Sequence, residues 1–316
     1  MYRPQIKVLD CSIRDGGLLN NCNFEENFVR NVYRAVCAAG VDYVELGYQA
    51  DKKFFSPDKY GKWKFCEEDD LKKVTEGVNT STKISTMIDI GRVDLDQIKQ
   101  KKDSVVDMIR VACYVKDIDK AIDHVKHVAD KGYETTVNIM AISTALMPDL
   151  EEGLAQLAES PVKAVYIVDS YGALFSEQIH FLVEKAKPYL NPKGIEVGIH
   201  CHNNQQLGFA NTIAAIISGI DYLDATLLGI GRGAGNCPLE LLISFLKNPK
   251  FKVRPLIKAI EEQILPWQKK IDWGYHIPYM ITGVMNQHPR TAMALMESED
   301  KEKFIEYFDQ MTSALP

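Results

Sequence analysis

Eight short, apolar, β-rich runs recur along the chain, and amphipathic segments separate most of them. The runs cover residues 5–12, 42–47, 83–89, 105–114, 134–141, 162–169, 196–202 and 222–228. Between the first two, Phe28, Val32, Val36 and Ala39 fall at helical spacing, and Gly40 stands where a helix C-cap belongs. Residues 117–131 repeat the scheme with Ile118, Ala121, Ile122, Val125 and Val128, then Gly132; residues 207–218 do so before Gly219. Near-continuous apolar strands alternating with helices require a parallel sheet covered by helices. Eight such units predict a closed (β/α)8 TIM barrel; an open doubly wound sheet would want a G-x-G-x-x-G after its first strand, and none is there. After about Leu239 the strand signals stop, and residues 257–264 and 301–314 read as helices. The expected organisation is a barrel domain over residues 1–245 and a helical C-terminal extension over 246–316, packed on the barrel or used in homo-oligomerisation.

Bulk properties exclude several classes. No apolar run reaches the ~20 residues that span a bilayer, and residues 1–5 lead straight into a strand pattern without a charged-then-apolar leader. The formal net charge of −6 argues against a nucleic-acid binder. The seven cysteines are scattered without a C-x-x-C, which fits reduced thiols in a cytoplasmic protein. Small molecules and other subunits are the expected partners.

Barrel enzymes carry their chemistry at the C-terminal ends of the strands. There the sequence sets Ser12-Ile13-Arg14-Asp15-Gly16 after run one, Glu45 on run two, Arg110 on run four and Asp169-Ser170-Tyr171 on run six. Run seven ends in His200-Cys201-His202-Asn203-Asn204, and run eight leads into Gly231-Arg232-Gly233-Ala234-Gly235-Asn236. Period-two alternation makes His200 and His202 leave their strand side by side, as two ligands of a divalent metal must, and an Asp from elsewhere would supply charge. Charged groups at the ends of apolar strands are costly unless paired or metal-bound. The glycine-rich loop reads either as a phosphate cradle or as the carrier of Asn236; a nucleotide P-loop would need a Lys-Ser/Thr ending, which is absent. The stretch 48–66, with Lys52, Lys53, Phe54, Phe55, Lys59, Tyr60, Lys62 and Trp63, either closes over an anionic substrate or packs its aromatics on the neighbouring helix.

Arg14-Asp15-Gly16, His200-x-His202-Asn203 and Gly231-x-Gly233-x-Gly235-Asn236 together resemble the DRE-TIM metallolyases, the HMG-CoA lyase-like superfamily. The run 199–240 is most similar to the 4-hydroxy-2-oxovalerate aldolase branch, and the resemblance extends over about residues 7–242. It implies that Asp15, His200 and His202 bind a divalent metal, Mn2+ or Mg2+ first and Co2+ or Zn2+ as alternatives, with Asn236 as a further ligand. It implies that Arg14 faces the keto or enolate oxygen of a 2-oxo acid such as pyruvate. Glu45 is placed to pair with Arg14 and orient it, or is an ordinary strand-end carboxylate.

The chain departs from that branch where a catalytic His follows the R-D-G triplet closely; here the stretch is Gly16-Gly17-Leu18-Leu19-Asn20-Asn21. Tyr275 or Tyr279 is the candidate for the later assisting Tyr, and His276, Tyr114 or a metal-bound water for the base. Cys237 follows Asn236 instead of preceding it, so the signature Cys of hydroxymethylglutaryl-CoA lyases has no counterpart here. The resemblance implies an aldehyde dehydrogenase partner only with a full-length version of the contacting domain, and that partner is not expected here. The leading expectation is a carbon–carbon lyase that cleaves a 4-hydroxy-2-oxo acid to pyruvate and an aldehyde. A Claisen-type acyl-CoA transferase is the alternative, followed by a metal-dependent hydrolase and a barrel that kept its metal and lost catalysis.

Overall fold

A computed structural model describes residues 2–313. Its eight strands, β1 (Lys7–Asp10), β2 (Tyr43–Tyr48), β3 (Lys83–Asp89), β4 (Met108–Cys113), β5 (Glu134–Ile139), β6 (Ala164–Asp169), β7 (Glu196–Cys201) and β8 (Tyr222–Ala225), pair in parallel with their sequence neighbours. β1 also pairs with β8, with Lys7 opposite Tyr222 and Asp10 opposite Ala225, so the sheet closes into a barrel. The connections are α1 (Ser12–Gly16) and α2 (Glu26–Ala38), α3 (Glu68–Thr75), α4 (Ile118–Asp130), α5 (Met147–Leu157), α6 (Ser176–Leu190), α7 (Gly208–Ile217) and α8 (Leu239–Leu246). α2 forms because Phe28, Val29, Val32, Tyr33 and Val36 make one buried stripe against the sheet.

Two details differ from the sequence expectation. The link from β3 to β4 holds only 3-10 turns at Leu95–Gln97 and Lys101–Asp103, because that charged stretch offers few apolar positions for a helix stripe. Ser12–Gly16 is one helical turn rather than the tail of a strand, and it carries Arg14 and Asp15 into the barrel mouth. Beyond α8 come α9 (Val253–Ala259), a π-helical turn Ile260–Ile264, α10 (Leu265–Gln268), α11 (Ile277–Val284), α12 (Arg290–Met296) and α13 (Phe304–Ser313). The helix expected over 301–314 begins at Phe304, and its last residue, Ala314, lies outside the described residues. Tyr279, Ile281, Ala292, Tyr307 and Met311 build a small core of their own that packs on Ala234 of the loop after β8. No described helix is long and apolar enough to cross a membrane.

The barrel interior is layered. At the N-terminal end Lys7 pairs with Glu196 at 2.6 Å, and Glu134 takes Lys83, Lys163 and the Tyr43 hydroxyl. Above it, the rings of Tyr43, Tyr166 and Tyr222 fill the centre, the Tyr222 centroid 5.9 Å from that of Tyr43 and 5.8 Å from that of Tyr166. Gly198 makes room for this plug: a Cβ there would meet the Tyr166 ring at 2.6 Å. The next layer up is charged.

Candidate active site

Arg110, fully buried on β4, lays its guanidinium 4.3 Å from the Tyr166 ring and donates to Glu45 Oε2 at 3.1 Å and to Asp224 Oδ2 at 2.6 Å. Glu45 Oε2 also accepts Arg14 Nε at 2.7 Å, and Arg14 Nη1 donates to Asp15 Oδ1 at 2.6 Å. Asp224 Oδ2 stands 3.0 Å from His200 Nδ1. A chain of alternating charges therefore runs Asp15, Arg14, Glu45, Arg110, Asp224 and ends on the His200 ring, each member buried. Buried charges persist only when paired this closely. The Arg14 guanidinium and the Asn236 amide hydrogen bond hold the Asp15 carboxyl well below the usual carboxylate range against its burial. Arg110 and His200 likewise pull Asp224 down against burial.

Period-two alternation brings the His200 and His202 rings to 4.9 Å at an interplanar angle of 70°. His202 Nδ1 donates to the Asp169 carbonyl at 3.2 Å, and a bridge pairs His202 with Asn236. Burial holds the His202 ring well below the ordinary imidazole pKa, so the ring is neutral. A carbonyl and an ionised carboxylate only accept, so Nδ1 carries a proton in both rings and turns Nε2 away from these acceptors; in the neutral His202 ring that Nε2 is a bare lone pair. Both Nε2 atoms and Asn236 Oδ1 are buried without a hydrogen-bond partner, while Asn236 Nδ2 is held by Asp15 Oδ2 and the Ile230 carbonyl. Donor atoms of Asp15, His200 and His202 lie within 4.8 Å of one another.

These orphaned atoms fit a divalent cation: two imidazole nitrogens, a carboxylate and an amide oxygen, with each His fixed from behind by an oxygen. A second grouping, Cys11, His200 and Asp224, shares His200. It is the poorer ligand set, because His200 Nδ1 is already bonded to Asp224 and burial drives the Cys11 thiol well above its usual range, leaving it protonated.

Other expected residues are placed apart from this cluster. Tyr279 is buried with its ring against Gly233, and burial pushes its hydroxyl up to about 12. His276 Nε2 pairs with Asp272 at 2.7 Å and its ring stands edge-on to Tyr279 at 5.9 Å. Tyr275 is 47% exposed and Tyr114 43% exposed. In the 48–66 stretch Trp63 is core, donating to the Phe24 carbonyl, and Lys62 pairs with Glu26 and Asp70. Lys64 points elsewhere: it is buried, with Nζ 3.8 Å from the Tyr48 ring and 4.2 Å from that of Phe55. Asp224, Lys64 and the pairing of Arg110 with Glu45 escaped the sequence reading; a charge inside the apolar run Tyr222–Ala225 was the available signal for the first.

A closed barrel with a buried cluster of charges and metal-type donors at its C-terminal mouth defines a barrel enzyme. The chain belongs to the HMGL-like family, whose model matches residues 5–264. Among curated relatives, a 4-hydroxy-2-oxovalerate aldolase of Roseiflexus sp. (strain RS-1) is 31% identical over 267 residues, 82% of this chain and 77% of that protein. One from Thermus thermophilus is 31% identical over 259 residues, covering 80% and 73%. The crystal structure of an N-terminal domain from a Bacteroides vulgatus protein superposes with a TM-score of 0.80 at 28% identity, covering 98% of this chain and all (100%) of that one. Hydroxymethylglutaryl-CoA lyase from Pseudomonas aeruginosa shares the fold, with a TM-score of 0.68 at 16% identity over 85% of this chain and 95% of that one.

Proposed function

We propose that this protein is a divalent-metal-dependent aldolase that cleaves a 4-hydroxy-2-oxo acid to pyruvate and an aldehyde, or runs the same reaction as a condensation. The observation that carries the reading is the set of partnerless buried atoms, Nε2 of His200 and His202 and Oδ1 of Asn236, gathered beside the Asp15 carboxylate. Asp15, His200, His202 and Asn236 would hold the ion, Mn2+ or Mg2+ by preference for this mixed N/O set. Bound there, the ion would polarise the keto group of the 2-oxo acid and favour its enolate.

Arg14 supports that role from the protein side. Its Nε and Nη1 are tied to Glu45 and Asp15, which leaves Nη2 to donate to the oxygen that gains charge as the C–C bond breaks. Glu45 and Arg110 hold that guanidinium in place. The relatives' names and the R-D-G and H-x-H-N motifs support a 4-hydroxy-2-oxo acid over an acyl-CoA substrate.

The proton must leave the 4-hydroxyl through a group other than the His the family pattern would put near Leu18. Lys64 fits this need. Residues 61–64 dock on the same turn, with Gly61 N–H donating to the Asn21 carbonyl at 2.9 Å, and burial lowers the Lys64 pKa. A desolvated amine between two aromatic rings can take and return a proton. The test is exchange of the pyruvate methyl protons for deuterium, followed by NMR, with Mn2+ and with a chelator. Metal-dependent exchange is expected, and cleavage of a 4-hydroxy-2-oxo acid by the metal-loaded protein should slow at least ~10²-fold in Lys64→Met. No exchange by metal-loaded protein would refute the aldolase reading, and cleavage at the wild-type rate by Lys64→Met would remove Lys64 from it.

A further inference from the structure

We propose that Arg232 and His288 form an oxyanion subsite at the barrel mouth, so that the substrate carries a second anionic group, a carboxylate or a phosphate, on its aldehyde half. The inference rests on the aldolase reading and adds the class of the other half of the substrate.

Arg232 belongs to the loop after β8, and its Nη2 donates to the Ser170 carbonyl, just past the end of β6, at 2.9 Å. β7 lies between β8 and β6 in the barrel, so the Arg232 side chain crosses the mouth above the end of β7, where His202 sits. Its charge acts on the His202 ring. The buried Nε–H has no acceptor, and no carboxylate pairs with this guanidinium among the described residues. Arg14 and Arg110, by contrast, each have two carboxylate partners. A partly buried cation without a counter-ion is expensive, and a ligand anion removes the expense.

His288 sharpens the argument. The backbone N–H of Arg290 donates to His288 Nδ1 at 3.1 Å, so the neutral ring carries its proton on Nε2. That Nε2 stands 3.4 Å from Arg232 Nη1. Two N–H donors are therefore turned toward one another with no acceptor between them, the arrangement an oxyanion oxygen completes. Burial, then Arg232 and Arg290, bring the His288 pKa down to about 4, which keeps the ring in that neutral donor form. The Tyr171 ring closes the same side, edge-on to His288 at 5.6 Å. His288 lies in the link between α11 and α12 and Arg290 opens α12, so the C-terminal extension supplies this side of the mouth.

The experiment compares binding by calorimetry in Mn2+-loaded protein. 2-Oxoglutarate and 2-oxo-4-phosphonobutanoate, with a carboxylate or a phosphonate at the far end, are set against 2-oxopentanoate, which has a methyl there. At least one dianion should bind about 10-fold or more tightly than 2-oxopentanoate, and which one does so distinguishes a carboxylate from a phosphate. Arg232→Gln keeps a donor for the Ser170 carbonyl and should level the ratio, while Arg232→Lys should preserve part of it. Equal binding of all three acids by the wild type, or an unchanged ratio in Arg232→Gln, overturns the subsite. Pyruvate exchange on the same samples separates the two claims: exchange without discrimination removes only the subsite, whereas absence of exchange and of 2-oxo acid binding removes both.

Discussion

Gly231→Ala probes the proposed metal centre without touching any donor atom. A Cβ built at Gly231 lies 2.1 Å from Asn236 Nδ2 and 2.4 Å from Asp15 Oδ2, against the 3.4 Å at which ordinary contacts begin. Both groups must retreat by about 1 Å, and their retreat separates them from the His rings, which stay on β7. Gly231 is not among the glycines with positive φ, so alanine is sterically allowed in the backbone and the whole effect falls on these two side chains. Arg14 is bonded to Asp15 and follows it. Disturbing the setting of metal ligands typically costs ~10–100-fold in affinity, and a ~1 Å error in catalytic geometry costs ~10²-fold in rate. Overpacking should lower stability by only about 1–3 kcal/mol. The assay is Mn2+ titration by calorimetry together with pyruvate exchange and thermal melting, on wild type, Gly231→Ala and a control, Gly194→Ala. Gly194 has φ +74 and nothing within 4 Å of its built Cβ, so the control carries backbone strain without the clash. A folded Gly231→Ala protein that binds Mn2+ with wild-type affinity would refute the assignment of Asp15 and Asn236 to the metal.

Two further predictions concern the buried charges. Arg110→Met leaves Glu45 and Asp224 in the barrel interior without their shared cation, and should destabilise by about 3–5 kcal/mol in urea unfolding; a loss under ~1 kcal/mol would show that the charge layer is not coupled through Arg110. Burial raises the Asp10 carboxyl to about 7 against the pull of its Ser12 hydrogen bonds, from an ordinary value of 3.8, so the native state holds a proton that the unfolded chain has released. Stability from this group is therefore lost as pH rises from about 4 to about 7 and is level above, by at most about 4 kcal/mol. Asp10→Asn should flatten that slope relative to wild type in urea midpoints taken from pH 4.5 to 8, and parallel slopes would contradict it.

Local pattern carried much of the fold. β3 was legible at its observed bounds, because both ends of its apolar run are marked by charged residues. The H-x-H pair was legible because period two is a property of any strand. What the sequence hid depends on closure. Arg110 was visible as a strand-end cation, but that it spans from Glu45 to Asp224 requires β2, β4 and β8 to face one another across a closed barrel. Lys64 was lost among the lysines of its loop, since only the docking of residues 61–64 on the Asn21 turn distinguishes it from Lys62. Arg232 looked like one polar residue in a glycine loop, and its meeting with His288 joins positions 56 residues apart. The segment between β3 and β4 failed as a helix because it lacks a stripe to bury.

The charge layer above the tyrosine plug also sets an electroneutrality condition. With Asp10 protonated, the three paired carboxylates Asp15, Glu45 and Asp224 share two guanidiniums, Arg14 and Arg110, which leaves this buried network one negative charge in excess. A divalent cation would turn that excess into a single positive charge, and the carboxylate of one 2-oxo acid would cancel it. That buried network would then be neutral only with metal and substrate both aboard, and a monovalent ion would leave nothing for the substrate carboxylate to neutralise.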